Sequence, residues 1–242
     1  MPAGAATGLN QDNRTRLQAK QELASWIGKS DDPVGQQMAE RAWDSAVRTF
    51  NGNPWKFNRI SISFVLQAWD AAPSGVFLGD SDYSLSSDFR NPLRGILSDS
   101  SGRPQSWLPF KPFVALRADF PLAANSGSVG TPTLYTVQSP ERDSKVSLFP
   151  MPSSGNGAGR TFFMEYHCRI ARVTDDAHSL TVPQEVDEAI FWCAVKRLLA
   201  QKGAETSKWQ EARENYAKSW KDVLFEYRDY VDSDPLQKRQ PA

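Results

Sequence analysis

The strongest constraint on the fold is a pair of amphipathic helical patterns in the last 60 residues of the sequence. One helix is predicted after Pro183 and a second begins near Thr206 or Ser207, beyond Gly203. The apolar positions of the second helix recur every three or four residues over about six turns. They are Trp209, Ala212, Tyr216, Trp220, Val223, Tyr227 and Tyr230. Two such helices joined by a short turn are expected to form an antiparallel hairpin.

A second helical pair is predicted near the other end of the chain. Its first helix runs from Thr15 to Ile27 and stops at Gly28, a favoured residue after a helix C-terminus. The next helix opens at Asp32-Pro33, an N-cap acceptor followed by proline in the first turn. The two pairs together can close a four-helix bundle.

The middle of the chain has a different pattern. Ile60, Ile62 and Phe64 alternate with other residues, as in a half-buried strand. Residues 71–112 are rich in Pro, Gly, Ser and Asp and look irregular, and a short amphipathic helix is expected over 113–120. The other expected strands are 134–137, 146–149 and 161–170, with the last two joined as a hairpin through the loop 153–159.

These patterns predict an α+β protein in which N- and C-terminal helical hairpins form a four-helix bundle that carries an inserted antiparallel β-rich module. The expected divisions are a flexible arm at 1–12, the bundle at 13–57 and 180–231, the insert at 58–179 and a flexible C-terminal tail at 232–242.

The composition bounds the function. The 242 residues include 28 Lys+Arg and 28 Asp+Glu, so the formal net charge is zero. Proteins that bind nucleic acid usually have more Lys and Arg than Asp and Glu, because contacts to phosphates supply much of their affinity. The two cysteines have apolar neighbours and fit buried residues in a reducing compartment. No apolar run reaches the length of a membrane span, so we expect synthesis in the cytosol and no membrane partner.

Residues that could carry catalysis are scarce. His167 and His178 are the only histidines, and His167 and Cys168 are expected on opposite faces of one strand. The glycine-rich loop before Thr161 lacks the lysine of a phosphate-binding loop and leads into a strand rather than a helix. The acidic stretch that opens at Asp80 lacks the glycine and glutamate of a calcium-binding loop. We therefore expect no enzyme activity, no cofactor and no metal.

Three of the eight tryptophans lie outside the expected helices. Trp55, Trp69 and Trp107 are near loops and are expected to be exposed, which makes them candidate interface aromatics. Aromatic rings on one flat face also stack on sugars. A carbohydrate-binding or other tail-associated binding module is therefore the alternative function, and it requires these three rings on one face.

Four segments carry a resemblance to a known family. They are the second helix with its aromatic-rich turn Asn53–Phe57; the turn Tyr83–Phe89, in which Ser86 stands where the family has proline; the strands Val146–Phe149 and Phe163–His167; and Leu180–Pro183 with the closing helical hairpin. Together these segments cover most of residues 34–230. Their order and spacing resemble those of the adaptor (head–tail connector) proteins of tailed phages with short tails.

The resemblance implies a structural role in the virion. The chain would be one subunit of a homo-oligomeric, dodecameric ring that joins the portal protein to a tail nozzle or tube protein, with an axial channel close to DNA. Such a protein is assembled in the host cytoplasm. The polar C-terminal tail is the expected portal-binding segment, ordered on assembly. Its candidate residues are Asp232, Leu236, Gln237, Lys238 and Arg239.

Overall fold

The fold is α+β, as the sequence predicts. The computed structural model describes residues 13–68, 84–119, 130–138, 144–153, 155–202 and 206–228. Within these residues the chain forms five α-helices and six strands, and the strands pair in antiparallel sheets. The chain divides into two compact units. The helical unit comprises 1–58 and 170–242, and the β unit comprises 59–169.

Four helices build the helical unit: α1 (Arg16–Trp26), α2 (Pro33–Phe50), α4 (Gln184–Lys202) and α5 (Thr206–Tyr227). Their starts follow the predicted capping signals. The Thr15 side chain accepts a hydrogen bond from the Gln18 N–H, and the Gln18 side chain accepts one from the Thr15 N–H. The Asp32 side chain accepts from the N–H of Val34 at the start of α2.

Helix α4 is the centre of this unit. Consecutive residues along it are buried, such as the runs 189–191 and 193–195, so it meets neighbours on several sides. It packs against α1, α2 and α5, and α1 also packs against α2. The four helices share one apolar core, but these pairings do not confirm the closed four-helix bundle expected from the sequence.

The β unit contains two sheets and one short helix. Its strands are β1 (Arg59–Val65), β2 (Phe89–Ser98), β3 (Pro104–Leu108), β4 (Leu134–Gln138), β5 (Lys145–Phe149) and β6 (Thr161–Cys168), and its helix is α3 (Phe113–Asp119). One sheet has the order β1-β6-β2-β3, and the other pairs β4 with β5. Both sheets contribute to one core, in which the Tyr135 and Phe162 ring centroids lie 5.3 Å apart.

The structure corrects three expectations about this region. The segment expected to be irregular contains β2 and β3, whose Pro92, Gly95 and Pro104 are residues that strands usually disfavour. The β2–β6 pairing accommodates Pro92 through a register shift between Pro92 and Arg94. The expected hairpin between the last two strands is wrong, because β5 pairs with β4, while β6 pairs with β1 and β2. Residues 170–179, assigned from sequence to the insert, belong to the helical unit.

Candidate interaction surfaces

One face of the four-stranded sheet is turned away from the β-unit core and carries a row of apolar side chains. The strand register places Ser63, Phe163, Ile96 and Trp107 side by side across β1, β6, β2 and β3. Phe163 and Ile96 are half-buried, whereas Trp107 is 57% exposed. Alternation along β6 explains the row, because Phe162 points into the core while its neighbour Phe163 points away from it.

A charged pair borders this apolar row. The Arg94 guanidinium binds Glu165 through two hydrogen bonds, Nε to Oε2 at 2.5 Å and Nη2 to Oε1 at 2.6 Å. The hydrogen bonds to Glu165 raise the pKa of Arg94 above its ordinary value. The Arg94 Cζ also lies 5.5 Å from the centre of the Trp107 ring. Trp107 is therefore held beside an oriented ion pair, which is an arrangement common at protein interfaces.

A second exposed apolar surface lies on α5. Most of this helix is solvent-exposed, and only Ala212 and Val223 are buried among its described side chains. Phe225 is 87% exposed and lines an open depression with Trp220 and Leu224. Lys221 and Asp222 supply the charges at its edge. The contiguous apolar side chains of Trp220, Leu224 and Phe225 form a surface suited to a partner.

Trp55 corrects the sequence-based list of exposed aromatics. Its side chain is completely buried, and its indole Nε1 donates a hydrogen bond to the Phe50 carbonyl oxygen at 2.7 Å. The ring stacks near Phe57 and meets Trp220 edge-on. Trp55 is a core residue because the chain satisfies its one polar group internally. It therefore cannot belong to an exposed sugar-stacking platform.

The other predicted site residues divide between exposed and undescribed positions. Trp107 is exposed, as expected. Trp69 and the tail residues Asp232, Leu236, Gln237, Lys238 and Arg239 lie outside the described residues. Sequence reasoning missed the apolar row and Phe225. The Phe162-Phe163 pair inside an alternating strand was the available signal, but the row becomes visible only once β2 and β3 are recognised.

Groups with catalytic or metal-binding chemistry are dispersed in the part of the chain that the structure describes. His167 is buried in β6, and His178 is exposed with its Nδ1 3.1 Å from an Asp175 oxygen. Burial, with a smaller effect of Asp88, raises the pKa of the Cys168 thiol to about 11, so this cysteine is a neutral thiol at pH 7. The described residues contain no cluster of three or more His, Cys, Asp or Glu suited to a metal ion.

None of the described helices combines the length and apolar character required to span a bilayer. No protein-family model matches the sequence, and no curated protein shows significant similarity to it.

Proposed function

We propose that the chain is a non-catalytic structural subunit of a phage virion, a head–tail connector adaptor. In this role copies of the chain form a dodecameric ring that joins the portal to a tail nozzle or tube protein and surrounds an axial channel for DNA. The observation that supports the proposal best is the presence of two different exposed apolar surfaces, one on each unit. They are the sheet row that ends at Trp107 and the α5 surface around Phe225.

A ring subunit needs two non-identical surfaces. In a cyclic ring each subunit meets one neighbour through one face and the other neighbour through a different face. Exposed apolar patches on a free chain mark contacts with other molecules. The α5 and sheet surfaces differ in shape, since one is a helix with a protruding phenylalanine and the other is a strand row beside an ion pair. They therefore suit either neighbouring subunits or a subunit and the portal.

The helical unit suits the role of a rigid platform. We treat α1, α2, α4 and α5 as a four-helix bundle centred on α4, with the β unit as its inserted contact module. The sequence resemblance to adaptor proteins supports the same division. The tail residues 232–239 remain the proposed portal-binding segment in this arrangement.

The formal neutrality of the chain also supports a channel that DNA passes through. Each phosphate contact by Lys or Arg adds to affinity for DNA. Equal numbers of acidic and basic residues avoid such a general attraction. We place the assembled ring in the virion and its assembly in the host cytoplasm.

Electron microscopy tests this function. The purified protein is mixed with the portal protein encoded in the same genome, and twelve-fold rings on the portal are expected. Trp107→Glu and Phe225→Glu should each abolish or distort the rings. Val114→Glu is the matched control, since Val114 is 81% exposed on α3 and lies outside both surfaces. Chains that stay monomeric with the portal, or rings unaffected by both glutamate substitutions, would refute the proposal.

The burial of Trp55 excludes the three-ring platform expected for a carbohydrate-binding module, so a sugar site would have to be built around Trp107. Its exposed ring beside the Arg94–Glu165 pair has the polar neighbours that sugar hydroxyls require. A glycan array probed with the wild-type protein and with Trp107→Ala tests this function. Glycan binding that the substitution removes would favour it over the connector.

A further inference from the structure

A cleft of about 220 Å³ lies within the helical unit, between α2 and residues 170–180. Its floor is apolar and includes the buried side chains of Trp43, Val47 and Leu180. One wall is fixed by Asn51, whose side chain accepts a hydrogen bond from the Ile170 N–H at 2.6 Å and donates one to the Ile170 carbonyl oxygen at 3.3 Å. Sites for drug-sized ligands usually measure about 300–1,000 Å³. This cleft is therefore sized for one side chain rather than for a cofactor.

The rim of the cleft has a net positive charge. Arg172 forms an ion pair with Asp44 at 2.5 Å. Arg48 is exposed, and its Nε donates to the backbone oxygen of Asp44 on its own helix at 3.2 Å. Arg48 has no carboxylate partner among the described residues. An occupant that places an aliphatic side chain on the floor and a carboxylate at Arg48 would match both features.

We propose that this cleft receives residues 232–236 of a second copy of the chain, with Leu236 on the floor and a carboxylate at Arg48. The segment reads Asp-Ser-Asp-Pro-Leu, so two carboxylates precede the leucine closely. Pro235 favours an extended conformation for the residue before it, which suits a peptide lying in a cleft. The charges of segment and rim are therefore complementary.

The inference rests on the proposed ring and adds a contact between neighbouring subunits to it. The structure describes the chain as far as Arg228, which bridges to Trp55 just after the end of α5. From there residues 229–236 extend at most ~26 Å, at about 3.3 Å per residue. The inference moves Asp232 and Leu236 from the proposed portal contact to the neighbouring subunit and leaves Gln237, Lys238 and Arg239 for the portal.

Peptide binding tests the chemistry of the cleft. The full chain carrying Leu236→Ala is titrated against a fluorescein-labelled synthetic peptide of residues 229–237, and fluorescence anisotropy is read. Saturable binding is expected. Adding Arg48→Glu to the protein should weaken it about tenfold, because a charged hydrogen bond is replaced by repulsion. Arg48→Lys should retain most of the affinity, and Lys208→Glu, an equal charge change at an exposed position on α5, should not alter it.

A mixing experiment tests whether the occupant comes from a second copy. The Leu236→Ala chain has an intact cleft, and the Arg48→Glu chain has an intact tail. Each alone should be monomeric in light scattering, and the mixture should give one-to-one heterodimers. The inference would be overturned if the mixture stayed monomeric, or if the Arg48→Glu and Lys208→Glu proteins bound the peptide equally well. Equally tight binding of a peptide of residues 1–12 would also overturn it. None of these measurements involves the portal, so the inference and the connector function fail independently.

Discussion

At the scale of single residues, Arg14 links the start of the helical unit to the first turn of α4. Its guanidinium forms ion pairs with Glu22, Asp187 and Glu188 at 2.8–3.0 Å. It also lies 4.4 Å from the centre of the Phe191 ring. The Asp187 side chain is only 2% exposed, and burial raises the pKa of this carboxyl even though Arg14 opposes the shift. Arg14 thus stabilises a buried negative charge at the start of α4.

Arg14→Met should therefore destabilise the protein by about 3 kcal/mol at pH 7, because it leaves the Asp187 carboxylate buried without its cation. The loss should be smaller at pH 5. Because the pKa of Asp187 is higher in the folded than in the unfolded chain, the unfolding free energy falls as pH rises from the unfolded pKa to the folded pKa. Removing Arg14 raises the folded pKa further, so the variant loses stability over a wider pH range. Urea unfolding at both pH values measures this. Adding Asp187→Asn should recover most of the loss, and no recovery would contradict the assignment.

At the scale of elements, the helices and the strands β1 and β6 could be predicted from the sequence, whereas β2 and β3 of the main sheet could not. Capping residues such as Thr15 and Asp32 act locally, so the sequence alone locates helix starts. Strands β2 and β3 contain residues that usually end strands, and they stay extended because β2 pairs with β6 and β3 pairs with β2. The apolar row across the sheet depends on that pairing. For the same reason the burial of Trp55, which depends on tertiary contacts, was not predictable from its position near a loop.

Gly95 in β2 shows how closely that sheet packs. A Cβ at this position would lie 2.8 Å from ring atoms of both Phe162 and Tyr135. Gly95→Ala should therefore lower the unfolding free energy by about 1–3 kcal/mol, the usual cost of overpacking a core. Gly155→Ala is the control, because a Cβ there meets no atom within 4 Å and the backbone does not have positive φ. Equal unfolding midpoints for the two variants would show that the core can relax around the methyl group.

At the scale of the whole molecule, the chain consists of one unit inserted into another. The helical unit is discontinuous in sequence, yet its two parts share one core: Phe50 and Trp55 pack against Trp220 of α5. The β unit is continuous and has its own core. In the β1–β6 pairing Arg59 lies directly opposite His167, so the two ends of the β unit are adjacent.

This geometry predicts that the helical unit folds without the β unit. Replacing residues 59–169 with a linker of about four Gly and Ser residues should bridge the gap from Asn58 to Ile170, since the opposed Arg59 and His167 lie about 5 Å apart and Ile170 follows His167 closely. The shortened chain should unfold in one cooperative thermal transition by far-UV circular dichroism, because α1, α2, α4, α5 and the aromatic cluster around Trp55 remain. Its near-UV signal should persist up to the same transition. A broad transition without near-UV signal would mean that the helical core needs the insert, and the β unit would then support the fold as well as presenting a surface.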